Sequence, residues 1–129
     1  MKEFTEKLSA QASVKVDSSN TARAVKSGCL DVFATPMMVA LMEEATCLAC
    51  APVLDEGETT VGTSICVSHD KASGLGTEVT AYAQLEGADG RRLTFSVSAK
   101  DEKGDVIGKG TIERFVVIED KFMKRVNSL

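Results

Sequence analysis

VFATPMMVALMEEATCLACAP, residues Val32 to Pro52, is the stretch on which the fold turns. Thr35 is a good helix N-cap, and Pro36 suits the first helical position, where a missing N–H costs nothing. Met38, Leu41, Met42, Ala45, Leu48 and Ala49 then recur at helical spacing, and Pro52 ends the run, so the pattern predicts a helix over Thr35 to Cys50. Its only charges are Glu43 and Glu44. A helix this apolar must be largely covered by something else in the fold.

Downstream of the loop at Asp55 to Glu58 the period changes to two, the mark of strands. Val61, Thr63, Ile65, Val67 and His69 alternate with Gly62, Ser64, Cys66 and Ser68. A second strand is expected from about Thr77 to Glu86, with Val79, Ala81, Ala83 and Leu85 on one face. Asp89-Gly90 is a hairpin signal, after which Leu93, Phe95, Val97 and Ala99 form the inner face of a third strand. Lys103-Gly104 marks another turn before a strand from Val106 to Ile118, where Gly108 and Gly110 imply a bend or a close backbone approach. A short terminal helix over Glu119 to Val126 follows. Upstream, a short strand is expected near Ser13 to Val16, and the polar Asp17 to Lys26 reads as loop or short helix. Strand, long apolar helix, then an antiparallel meander is an α+β pattern, with one curved sheet wrapped around one central helix. No repeat or second domain interrupts it, so residues 1–129 form a single domain. A lone curved sheet leaves edges, which favours a homodimer or a higher homo-oligomer.

Composition bounds the function. Hydrophobic residues make up 43% of the chain, enough for a real core, and the net charge of -4 argues against broad nucleic-acid binding. The first residues, MKEFTEKLSAQASVKV, lack the continuous apolar segment of a signal peptide. The weakly polar run from Phe33 to Leu54 is broken by Glu43 and Glu44, and no membrane span is expected. These readings point to the cytoplasm, where the four cysteines are reduced thiols. Cys47 and Cys50 form a CxxC, but Cys29 and Cys66 add no second pair with metal spacing, and neither zinc nor another cofactor is expected.

Four segments carry a family resemblance: VFATPMMVALMEEA (Val32 to Ala45), VGTSICVSH (Val61 to His69), GRRLTFSVSAKD (Gly90 to Asp101) and IGKGTIER (Ile107 to Arg114). In order and spacing, over roughly residues 29 to 122, they resemble the fluoroacetyl-CoA thioesterase branch of the hot-dog superfamily. The resemblance implies the hot-dog fold, hydrolysis of a short-chain acyl-CoA to free acid and CoA, and a site at a dimer interface. It places the family's working Thr, Glu and His on Thr35, Glu43 and His69, and its functional Gly on Gly62.

Each of these residues also has an ordinary reading. Thr35 as a plain N-cap competes with Thr35 as nucleophile or as a hydroxyl that holds a carbonyl or a water. At the helix start the amides of Met37 and Met38 are candidate oxyanion donors, since Pro36 has none. Glu43 as a solvated charge, with Glu44 its rival, competes with Glu43 as a general base whose basicity burial raises. Eight residues separate it from Thr35, about 12 Å along a helix axis, so the two must approach one substrate from different sides or different subunits. His69, the only histidine, is either a core residue or the group that activates the nucleophile or water. Arg91, Arg92 and Arg114 are candidates for the CoA phosphates against a reading as solvated strand-edge charges. The family's pair of Phe residues before the catalytic Thr falls on Lys26 and Cys29, so the aromatic lid is missing and weak selection for fluorine is expected. A hot-dog dehydratase and a non-catalytic acyl-CoA binding module are the competing functions.

Overall fold

In the computed structural model, which describes residues 1–129, β1 (Ser9–Lys15), a one-turn helix α1 (Ala22–Val25) and the long helix α2 (Thr35–Cys50) come first. They are followed by β2 (Glu58–His69), β3 (Glu78–Asp89), β4 (Arg92–Asp101), β5 (Val106–Ile118) and a terminal helix α3 (Glu119–Asn127). The five strands make one antiparallel sheet in the order β1-β3-β4-β5-β2. The expected meander is therefore only partly correct. β3, β4 and β5 are joined by hairpins, but β2 pairs with β5 rather than with β3, and forms one edge of the sheet.

The alternation read from the sequence sets the core. Val79, Ala81, Ala83 and Leu85 on β3, with Leu93, Phe95, Val97 and Ala99 on β4, all face α2 and are buried. On α2 the buried face is Met38, Leu41, Met42, Ala45, Thr46, Ala49 and Cys50. Leu48, expected on that face, is half-exposed, and Thr46 is buried instead. Thr46 tolerates burial because its hydroxyl donates to the Glu43 carbonyl at 2.6 Å. With the turn that follows, α2 gives an apolar stretch over Thr35–Val53, mean hydropathy 1.3, long enough to span a bilayer by length and composition. The sequence expectation of no such stretch is corrected; one face of this helix is covered by the sheet.

Two glycines on β5 are required by backbone approach. A Cβ on Gly110 would collide with the Cys66 carbonyl oxygen, and one on Gly108 would lie 2.5 Å from the Ser68 carbonyl oxygen. β2 also departs from simple alternation. A register shift between Gly62 and Ser64 places Gly62 opposite Arg114 and Ile65 opposite Ile112. Thr60 and Gly62 thus share the inner face with Ile65, Val67 and His69, while Val61 turns outward with Ser64. α2 lies mainly across β1 and β3 and barely touches β2. Ile65 consequently points to the helix side yet is 43% exposed.

Candidate active site

The start of α2 is tied down from three directions. The Ala22 N–H donates to the Val32 carbonyl (2.8 Å), the Phe33 N–H to the Ser73 carbonyl (2.8 Å) and the Ala34 N–H to the Asn20 carbonyl (3.0 Å). Asn20 is itself fixed: its Nδ2 donates to the Lys15 carbonyl and its Oδ1 accepts the Asp17 N–H. The N-cap is Ala34, with extended φ and ψ of -71° and 137°, so Thr35 is the first helical residue and Pro36 the second. This corrects the cap assignment by one residue, with a chemical consequence. The Thr35 hydroxyl does not cap the helix and instead lies 2.7 Å from His69 Nδ1.

His69 reaches that point because it ends β2 on the inner face, directly opposite Gly108. With the ring proton on Nε2, Nδ1 accepts from the Thr35 hydroxyl, and this is the tautomer able to take its proton. His69 Nε2 is buried and has no partner within the chain. Thr35 and His69 share a cavity of about 240 Å³ with Ala22, Val32, Phe33, Asp70 and Lys71 among its lining residues. A larger concavity, about 1120 Å³, lies on the opposite face of the sheet around Gln11, Tyr82, Ser98 and Lys109, and contains neither residue.

The expected oxyanion donors are not available. The amides of Met37 and Met38 both donate to the Ala34 carbonyl at 3.0 Å, because the helix starts one residue early. The amide left without a partner is that of Thr35 itself.

Glu43 stands apart from this pair. Its Oε2 accepts from Arg114 Nη1 at 3.1 Å, and its side chain is 34% exposed. An opposite charge, not an apolar enclosure, is thus its main neighbour, in contrast to the burial read from sequence. Arg114 is 7% exposed, with Nε donating to Thr60 Oγ1 (2.8 Å) and Nη2 to the Thr60 carbonyl (3.1 Å). It is no solvated edge charge, and its guanidinium is already engaged within the chain rather than offered to a CoA phosphate. Parity along β5 carried this signal, since Arg114 alternates in step with the buried Ile112 and Val116. Gly62 completes the cluster: a Cβ there would lie 2.7 Å from Glu43 Oε2. Arg91 and Arg92 are exposed at the β3–β4 turn, where Arg92 pairs with Asp89 (3.0 Å) and Arg91 approaches Glu58 (3.8 Å). Cys47 is exposed, whereas burial pushes the Cys50 thiol above its usual range, so this CxxC presents one packed thiol.

The chain thus holds two separate polar clusters, Thr35 with His69 and Glu43 with Gly62 and Arg114. Residues 16–120 match the model of the fluoroacetyl-CoA-specific thioesterase (FlK) family. The chain belongs to that family. A fluoroacetyl-CoA thioesterase of Streptantibioticus cattleyicolor is 49% identical over 96 residues, covering 74% of this chain and 68% of its own. The solved structure of a fluoroacetyl-CoA thioesterase superposes with a TM-score of 0.89 at 38% identity, covering 98% of this chain and 97% of that one. A thioesterase superfamily member from Thermus thermophilus gives 0.89 at 30% identity, covering 99% and 96%. Within this fluoroacetyl-CoA-specific thioesterase family member, the positions expected to carry the aromatic lid are exposed and non-aromatic: Lys26 closes α1 in a left-handed conformation (φ 63°), and Cys29 follows in the loop. The nearby aromatic, Phe33, is packed into the core.

Proposed function

We propose that this protein hydrolyses short-chain acyl-CoA thioesters in a site built from two copies of the chain. The observation that carries the reading is the 2.7 Å contact between Thr35 Oγ1 and His69 Nδ1 at a helix start, beside a cavity of about 240 Å³. His69 takes the Thr35 proton as Oγ1 attacks the thioester carbonyl, the Thr35 N–H faces the developing oxyanion, and the CoA thiolate departs. A thiolate leaves readily, so no strong general acid is needed. Glu43 then activates the water that releases the acid. A structure of a mutant of the fluoroacetyl-CoA thioesterase in complex with fluoroacetate and CoA, 40% identical to this chain, supports the ligand class.

The two clusters meet only if a second copy is present. Gly62 and His69 are seven residues apart on β2, roughly 20 Å at the rise of a strand. β2 has a free edge, and Ile65 on its inner face is uncovered. Antiparallel pairing of two β2 edges about a twofold brings the Gly62 end of one against the His69 end of the other. It also carries the exposed Arg91 and Arg92 of one copy towards the partner's cavity, where CoA phosphates can meet them. The Thr–His contact, which a binding module does not need, favours hydrolysis, and we assign the protein to the cytoplasm.

The test is thiol release from a panel of acyl-CoAs, with Thr35→Ala and Glu43→Ala prepared separately and then mixed to exchange subunits. Release by wild type, none by either variant, and partial recovery in the mixture are expected. Water loss without thiol release would make the protein a dehydratase, and binding alone a carrier module. A stable, active monomer in light scattering would refute the composite site.

A further inference from the structure

Within one copy of the chain β2 is bonded on one side only, and His69 is its last residue. Strand ends open more easily than strand centres, yet the residues after His69 are held closely. The N–H groups of Asp70 and Lys71 both donate to the Ile107 carbonyl, at 2.6 and 3.2 Å. The Ser68 hydroxyl donates to Asp70 Oδ2 at 2.9 Å. Lys71 Nζ donates to Asp101 Oδ2 at 2.8 Å and to Asp105 Oδ2 at 2.6 Å. Asp101 is a firm anchor: its side chain is 7% exposed, and its second oxygen accepts the N–H groups of Lys103 and Asp105, each at 3.0 Å. Those bonds shape the turn between β4 and β5. Lys71, two residues beyond His69, therefore joins the end of β2 to the hydrogen-bonded turn of the neighbouring hairpin.

We propose that Lys71 is a positioning residue for His69, and that its bridge to Asp101 and Asp105 keeps Nδ1 within hydrogen-bond reach of Thr35 Oγ1. The proposal rests on the reading of Thr35 and His69 as the reacting pair. An exposed ion pair contributes little to stability on average. A pair that ends on a fixed carboxylate contributes direction, and the reacting geometry depends on direction. A misplacement of about 1 Å can lower turnover by about 100-fold.

His69 is the only histidine, so its ring ¹H and ¹⁵N resonances are unambiguous. The experiment compares wild type, Lys71→Met and Lys71→Arg as full chains, by acyl-CoA kinetics and by the ring spectrum. In Lys71→Met, kcat is expected to fall roughly 10- to 100-fold with KM changed by less than about twofold. Its ring signals should move towards the averaged tautomers of a free imidazole. Lys71→Arg, which still reaches both carboxylates, should restore both readouts. A folded Lys71→Met with wild-type kcat and ring signals overturns the proposal, and so does a loss of kcat with unchanged ring signals. If Lys71→Met does not fold, Asp105→Asn, which removes only the exposed partner, is read the same way: a partial ring shift is expected, and none overturns it. Should His69→Ala retain full hydrolysis, the assignment of the reacting pair fails, while the ring spectrum still decides whether Lys71 holds His69.

Discussion

Replacing Gly62 with alanine separates the geometry of Glu43 from the stability of the fold. The new Cβ would sit 2.7 Å from Glu43 Oε2 and 3.4 Å from Arg114 Nη1. To regain ordinary contact the carboxylate must retreat by roughly 0.7 Å, which stretches its 3.1 Å bond to Arg114. The obstacle is the end of a flexible side chain, not backbone, so the fold yields cheaply. Weakening one charge-assisted hydrogen bond that is partly exposed costs about 1 kcal/mol, or about 3–5 °C in Tm for a domain of this size. If Glu43 activates the water, the same displacement should lower kcat for a short acyl-CoA about 10- to 100-fold. Thiol release and thermal unfolding are measured on one preparation. A well-folded Gly62→Ala with kcat within twofold of wild type would refute the role given to Glu43.

Gly108→Ala is the opposite case, because its Cβ meets the Ser68 carbonyl oxygen at 2.5 Å and Met38 Sδ at 2.7 Å; a loss of about 1–3 kcal/mol in urea unfolding is expected, and wild-type stability would contradict the packing. Thr35→Ala and His69→Ala should each reduce thiol release by about 100-fold or more with an unchanged circular dichroism spectrum, whereas Glu44→Ala, exposed on α2, should remain within a few-fold. The hydrogen bond from Lys71 holds the Asp101 carboxyl below the usual carboxylate range. Its contribution to stability is therefore complete above that range and is lost as pH falls through the lowered value. Asp101→Asn should be less stable than wild type at neutral pH, with the gap closing in acid; a constant gap in pH-dependent denaturation would exclude the linkage. If Lys26 and Cys29 stand where the resemblance places the family's aromatic pair, kcat/KM for fluoroacetyl-CoA over acetyl-CoA should reflect a pocket difference of about 1–3 kcal/mol at most, and a preference of several orders of magnitude would disprove this.

What the sequence determined by itself was whatever follows from periodicity and short-range chemistry. The span of α2, the buried faces of β3 and β4, the turns at Gly90 and Gly104, and the close approach at Gly108 and Gly110 were all legible, because each depends on residues a few positions apart. The parity of β5 also carried the burial of Arg114, although a charge invites a surface reading. Tertiary structure decided the rest. The pairing of β2 with β5, and the bulge that reverses its faces at Gly62, depend on partner residues 39 to 60 positions away. The N-cap moved to Ala34 because Asn20 and Ser73, one upstream and one far downstream, fix the chain just before the helix. That shift freed the Thr35 hydroxyl for His69, occupied the amides of Met37 and Met38, and left Thr35 N–H open. A hydrogen bond across 34 positions has no local pattern to announce it, since only the folded chain brings the start of α2 to the last residue of β2.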